Sequence, residues 1–298
     1  MTWILLVVLV ALGVSIWPLG RWGTAIGGSA AAMGFWISLF SAVFGGIAML
    51  ALGAKPHVDG VLGAAVAFGI AYSIGFCVLI MHALKIGPAG PTVAINNIAL
   101  VAGVLYNWFW LNPQRPTALL VLGLAGVCGA LILMGLGANA GATEKRPLNV
   151  AWLRVVIPGG ALSALSFASQ AHVGMRHPGP QNGLVYMTLG MAFSALILAA
   201  ILWRRREFGA CRERLAGLGI AIVMCLGTPL GMAIMRGVGP AIYFPVTVAM
   251  PIVVMVFVGH FAYREHLNRH TLAGCLLAAI SVALLAYASA VNNAGVAM

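Results

Sequence analysis

Ten apolar runs, at about 2–20, 29–52, 61–84, 91–110, 117–137, 151–172, 183–203, 215–235, 240–262 and 271–290, take up most of this 298-residue chain, and each is bounded by glycine, proline or charge. A helix needs about 20 apolar residues to cross a bilayer core. Backbone that faces lipid must satisfy its hydrogen bonds within its own segment, so the runs are expected to be helices; the short alternating strands of a barrel are missing. Charged residues make up only 7% of the chain and mean hydropathy is +1.04, against about 25% charged residues in an average soluble protein. The expectation is an all-α integral membrane protein of ten transmembrane helices, with connections too short for a sizeable soluble domain. The first run has no basic segment before it, and Trp17-Pro18-Leu19 is a poor cleavage site, so it is expected as a retained helix and not a signal peptide.

The formal charge is +11. In a soluble chain that excess would suggest nucleic acid, but here the basic residues stand singly or in short groups between apolar runs, as expected of membrane-flanking loops. No nucleic-acid partner is expected. Cys77, Cys128, Cys211, Cys225 and Cys275 form no CxxC pair, which supports neither a disulfide framework nor a zinc site.

The two halves of the chain share an order of features. In the first, Lys85-Ile86-Gly87-Pro88 leads into a run ending at Trp110, then a polar link at 112–115 and a run containing Gly123. In the second, Arg236-Gly237-Val238-Gly239-Pro240 leads into a run ending at Phe261, then a polar link at 263–266 and a run containing Gly274. Pro88 and Pro240 stand 152 residues apart, Gly123 and Gly274 151 apart. These offsets divide the chain into 1–137, a connecting loop at 138–150, and 151–298. Five helices per repeat return the chain to the opposite side, so the second repeat is expected to be inverted. Inverted repeats mark secondary transporters, with the solute near the midplane where the repeats meet.

With that organisation, and with Phe261-Ala262-Tyr263-Arg264-Glu265-His266-Leu267 closing the ninth run, the chain resembles the drug/metabolite transporter superfamily, in particular its EamA-type permeases. The resemblance covers nearly the whole chain. It implies ten helices in two inverted five-helix repeats and movement of a small metabolite across a bacterial inner membrane.

Lysine and arginine are unevenly shared between the two sides. Loops after odd-numbered runs hold twelve of the sixteen, including Arg204, Arg205, Arg206, Arg212 and Arg214; the other side holds Lys55, Arg115, Arg176 and Arg236. The positive-inside bias therefore predicts a cytoplasmic 203–214 loop and both termini outside.

All five acidic residues, Asp59, Glu144, Glu207, Glu213 and Glu265, fall in loops or at the ends of runs. An intramembrane carboxylate is the usual proton relay or partner of a cation, so neutral, zwitterionic or anionic solutes are the better candidates. Candidate cavity residues are Tyr72 and Ser73 in the third run, Asn96 and Asn97 in the fourth, Ser166 and Gln170 in the sixth, and Tyr243 and Thr247 in the ninth. Each reading has a plain rival. An Asn pair in hydrocarbon needs partners, which an interhelical bond supplies as well as a solute does, and Tyr72 is equally readable as packing. Gly87, Pro88, Pro91, Pro229, Pro240, Pro245 and Pro251 are candidate hinges, because proline removes a backbone donor and bends a helix. Lys85 and Arg236 are repeat-equivalent and read either as snorkelling to headgroups or as attracting anionic solutes at each mouth.

No GxSxG, HExxH or P-loop occurs, so an enzyme is not expected; nor is a cofactor or metal. The expected partners are a small-molecule solute and the bilayer, with a monomer and a homodimer both open. A flippase for a lipid-linked substrate and a membrane structural or assembly protein remain alternative readings.

Overall fold

The computed structural model describes residues 2–24, 29–53, 58–87, 89–111, 117–140, 150–263 and 268–296. These form ten helical rods in chain order: α1 Thr2–Thr24, α2 Ala30–Ala51, α3 (58–86), α4 (89–111), α5 Ala118–Ala140, α6 Val150–Arg176, α7 Pro180–Arg205, α8 Cys211–Val238, α9 (240–263) and α10 Arg269–Val296. The protein is all-α and multi-pass. Eight of the rods hold a stretch long and apolar enough to cross a membrane; Ile4–Gly20 in α1 and Pro240–Val254 in α9 are shorter apolar stretches.

Contacts between rod ends define two faces. At the odd-loop face, where odd rods end and even rods begin, the Ser29 amide donates to Glu213 across 2.8 Å and the Asn268 side chain donates to the Gly137 carbonyl across 2.6 Å. At the even-loop face Gly60 approaches His177, and Gly183 lies against Met232 and Pro229. Neighbouring rods repeat by number. α5 lies along α10 and α2 along α7; α1 packs on α8 as α6 packs on α3, and α3 packs on α7 as α8 packs on α2. Adding five to each label returns the same pairs.

Glycines permit these approaches, since in lipid close backbone packing replaces the hydrophobic effect as the force between helices. At Gly87, extended at φ −138° and ψ −172°, a Cβ would run into the Trp152 ring. That ring is fixed by its Nε1 donating to Thr92 Oγ1 at 2.8 Å, which ties the start of α4 to the start of α6.

The hinge candidates behave differently from one another. Gly87 separates α3 from α4, and Pro91 lies in the first turns of α4. Pro240 opens α9 after Gly239, whose φ of +79° suits glycine. Pro245 begins a π-helical stretch, Pro245–Ala249, and Pro251 follows it in the next turn. Pro229 lies inside α8, which is helical from Cys211 to Val238. Pro88 lies outside the described residues. Two more π-helical stretches, Ala71–Ile80 in α3 and Asn107–Leu111 in α4, have no counterpart in the sequence expectations.

Candidate functional site

A cavity of about 520 Å³ lies among α1, α2, α3, α4, α6 and α8. Pockets for small molecules are about 300–1,000 Å³. All of its described lining residues come from the middle of their rods or from the parts nearer the odd-loop face: Ile16 and Gly20 late in α1, Ala30 to Ile37 early in α2, Ala71 to Leu84 late in α3, Val93 to Asn97 early in α4, Ser163 to Phe167 midway along α6, and Ile220 and Met224 in α8. No described residue of α5, α7, α9 or α10 lines it.

The π-helical stretch of α3 forms one wall. It carries Tyr72, Phe76, Cys77 and Ile80 on the cavity side, and π-helical turns within helices recur at functional sites. Beside it, touching at Gly34 and Cys77, Ala30, Met33, Gly34 and Ile37 follow the three- and four-residue spacing of one face of α2. The wall is mostly apolar. Its polar members are Tyr72, Asn96, Asn97, Ser163 and Ser166, and no described lining residue is charged. Ser163 Oγ donates to Asn96 Oδ1 across 2.7 Å, joining α6 to α4 at the inner end of the cavity.

Tyr72, Asn96, Asn97 and Ser166 therefore come together around one space, from three rods. Ser73 does not join them. Its side chain is buried and its Oγ donates to the Gly69 carbonyl, four residues back, at 2.7 Å. Gln170, Tyr243 and Thr247 form a separate group in and beside the other half of the bundle: Gln170 Nε2 donates to Tyr243 Oη at 3.4 Å, and Thr247 Oγ1 to the Tyr243 carbonyl at 2.7 Å. Beside them Ser169 Oγ and Tyr186 Oη are 2.9 Å apart, and Tyr106 Oη lies 3.0 Å from His172 Nδ1. Tyr186, Met232, Met235, Tyr243 and Phe244 are buried there, so packed side chains stand at the centre of the even-loop half.

Lys85 and Arg236 are both exposed at rod ends, Lys85 at the odd-loop face and Arg236 at the even-loop face. The odd-loop face also holds Glu213, a carboxylate with 4% of its surface exposed. One of its oxygens accepts from Ser29 N and the other from Ala210 N. On either side of it, Arg212 lies over the Trp22 ring at 5.3 Å and Arg214 over the Trp36 ring at 5.0 Å. Trp36 Nε1 in turn donates to the Phe208 carbonyl across 2.8 Å. The short connection between α7 and α8 is thus pinned to the ends of α1 and α2.

Sequence reasoning missed Glu213 and the apolar wall. A glutamate three residues into a helix is a capping signal, but its tie to Ser29, 184 residues away, has none. Among the described residues no group of three His, Cys, Asp or Glu side chains is placed to hold a metal ion.

No family profile matches the chain and no curated protein sequence does. Twenty-eight chains of solved structures are similar to it. One, a crystal structure described simply as that of a protein, covers 94% of this chain and 94% of its own with a TM-score of 0.73 and 16% sequence identity. At that identity the likeness shows a shared fold.

Proposed function

We propose that the chain is a secondary transporter that moves a small metabolite by alternating access, built as two inverted five-helix repeats of the drug/metabolite transporter type. The observation that carries this reading is the one-sidedness of the cavity. Solute-sized space lies in the odd-loop half of the bundle, while Tyr186 and Tyr243, hydrogen-bonded and buried, stand in the even-loop half.

Three further features support it. Six helix pairings, α5 with α10, α2 with α7, α1 with α8, α3 with α6, α3 with α7 and α2 with α8, map onto one another when five is added to each label. The likeness to a solved structure extends over 94% of both chains. The sequence resembles EamA-type permeases in its order of basic residue, Gly-Pro break, run and polar link. In this reading the two halves exchange packing: the Ser169–Tyr186 and Gln170–Tyr243 contacts part as the odd-loop half closes around Tyr72 and Asn97. The breaks at Gly87 and Gly239 and the π-helical stretch at Pro245 are where the rods bend. Lys85 and Arg236 stand at opposite mouths.

The odd-loop face is assigned to the cytoplasm from its excess of arginine and lysine, with the 203–214 loop inside and both termini outside. An impermeant maleimide applied to intact cells should leave the exposed Cys211 unmodified; modification from outside overturns the orientation.

The test of function is uptake into liposomes containing the purified chain, screened across sugars, amino acids, nucleosides, organic acids and uncharged aromatics. Ser166→Trp, which fills the cavity between α4 and α6, should abolish whatever uptake the unmodified protein shows. Uptake equal in the two proteins, or none for any class of solute, overturns the reading.

A further inference from the structure

The chemistry of the cavity wall narrows the solute. Asn97 is 7% exposed and lines the cavity, and its side-chain amide makes no hydrogen bond to a described residue. Once a solute displaces water from the cavity, an amide left without a partner costs free energy, so a solute that supplies one gains by doing so. The neighbouring Asn96 has its Oδ1 engaged by Ser163, which leaves its Nδ2, with two N–H donors, as the free end of the amide. The Ser166 hydroxyl, also on the wall, donates no hydrogen bond to a described residue. Donors thus gather at the inner end of the cavity.

Elsewhere the wall offers Met33, Ile37, Phe76, Phe167, Ile220 and Met224. A charged solute entering here would lose its hydration and meet no counter-charge among the described lining residues, which opposes its binding. The described charges of the odd-loop face, among them Lys85, Arg154, Glu207, Glu213, Arg269 and the arginines of the α7–α8 connection, are outside the cavity wall.

We infer that the solute is an uncharged amphipath, its apolar body against the Met33, Phe76 and Met224 wall and a carbonyl or hydroxyl oxygen on the Asn96 and Asn97 amides. This rests on the carrier reading and gives its solute class.

The test is equilibrium binding to the purified full-length chain with three triplets: phenyl-, indolyl- and naphthylacetamide, each beside the acid and the amine with the same ring. In at least one triplet the amide should bind at least about tenfold more tightly than the acid and the amine. Asn97→Leu should weaken that binding about fivefold or more. Asn97→Asp should turn the preference towards the amine, a reversal that misfolding does not produce. The inference is overturned if no amide binds, if an acid or amine is tightest in every triplet, or if Asn97→Asp keeps the amide preference. A charged metabolite taken up by liposomes and blocked by Ser166→Trp would overturn it too, and leave the carrier reading standing. Absence of uptake for every class of solute would remove the carrier reading itself.

Discussion

Gly123 of α5 rests on Leu285 of α10 so closely that a Cβ there would lie 2.7 Å from the leucine Cγ. The contact recurs in reverse, with Gly274 of α10 on Met134 of α5, where a Cβ would lie 2.7 Å from the methionine Cγ. Gly123 and Gly274 are 151 residues apart, and so are Met134 and Leu285. The two contacts differ in what surrounds them. At Gly123 the closest atoms belong to a side chain that can turn aside, whereas at Gly274 the Ala130 carbonyl oxygen and the Met134 amide nitrogen also stand within about 3.0 Å. Overpacking typically costs about 1–3 kcal/mol. Gly274→Ala should therefore lower the melting temperature of the purified chain more than Gly123→Ala does. Thermal unfolding in one detergent compares them, and the opposite order would show that α5 and α10 separate as rigid rods.

Gly34 bears on the cavity wall itself. A Cβ at this position would overlap the Cys77 sulfur, with the Cys77 Cβ next at 3.3 Å and Leu198 at 3.5 Å. Gly34→Ala should push α2 from the π-helical stretch of α3 and weaken solute binding. Cys77→Ala removes the obstructing sulfur. The double variant should recover binding to within about twofold of the unmodified protein, since residues in contact are not additive. Binding measured for the two single variants and the pair checks this, and independent effects would mean that the two side chains do not share one wall.

Tyr186 and Tyr243 hold the even-loop half through Ser169 and Gln170. A typical hydrogen bond contributes about 1 kcal/mol net, which as a shift in an opening equilibrium is about fivefold. Tyr186→Phe keeps the ring and deletes only the hydroxyl, while Ser169 retains its bond to the Ser166 carbonyl at 2.8 Å. A cysteine introduced by Met232→Cys, at a position buried in this half, should be alkylated about fivefold faster when Tyr186→Phe is added. An unchanged rate would show that the tyrosine hydroxyl does not hold this side closed.

Much of the fold was legible because lipid imposes one requirement on every rod, about 20 apolar residues in a helix; Pro91–Leu111 and Pro180–Arg205 follow from it directly. The cavity wall was most legible where polarity had no local outlet. An asparagine side chain in hydrocarbon needs a partner beyond its own helix, which is why Asn96 and Asn97 marked the cavity. Serine and threonine can bond to the carbonyl four residues back, as Ser73 does to Gly69 and Thr247 to Tyr243, so a hydroxyl alone does not separate these two from Ser166 on the cavity wall. Met33, Ile37 and Met224 were invisible for the converse reason: an apolar side chain reads alike whether it meets lipid, a neighbour or a cavity.

Glu213 supplies a test of how the odd-loop face is held that does not depend on solute. Its carboxylate is buried, begins α8 and accepts two backbone N–H groups, one from the connection at Ala210 and one from Ser29 at the start of α2. A carboxylate near a helix N-terminus is favoured by the helix dipole, and here it joins two helix starts. Glu213→Ala leaves both donors unpaired in a site that water reaches poorly, at about 1–3 kcal/mol for each. Glu213→Gln keeps the carbonyl oxygen as an acceptor but replaces the other by an amide nitrogen that cannot accept, so it should retain one bond and lose about half as much. The expected order of melting temperature is unmodified, Gln, Ala. The same order should appear in amide exchange at Ser29, where the alanine variant exchanges fastest. Thermal unfolding and hydrogen exchange on the three proteins check it; a Ser29 amide protected equally in all three would mean that the carboxylate caps α8 alone and does not fasten α2 to it.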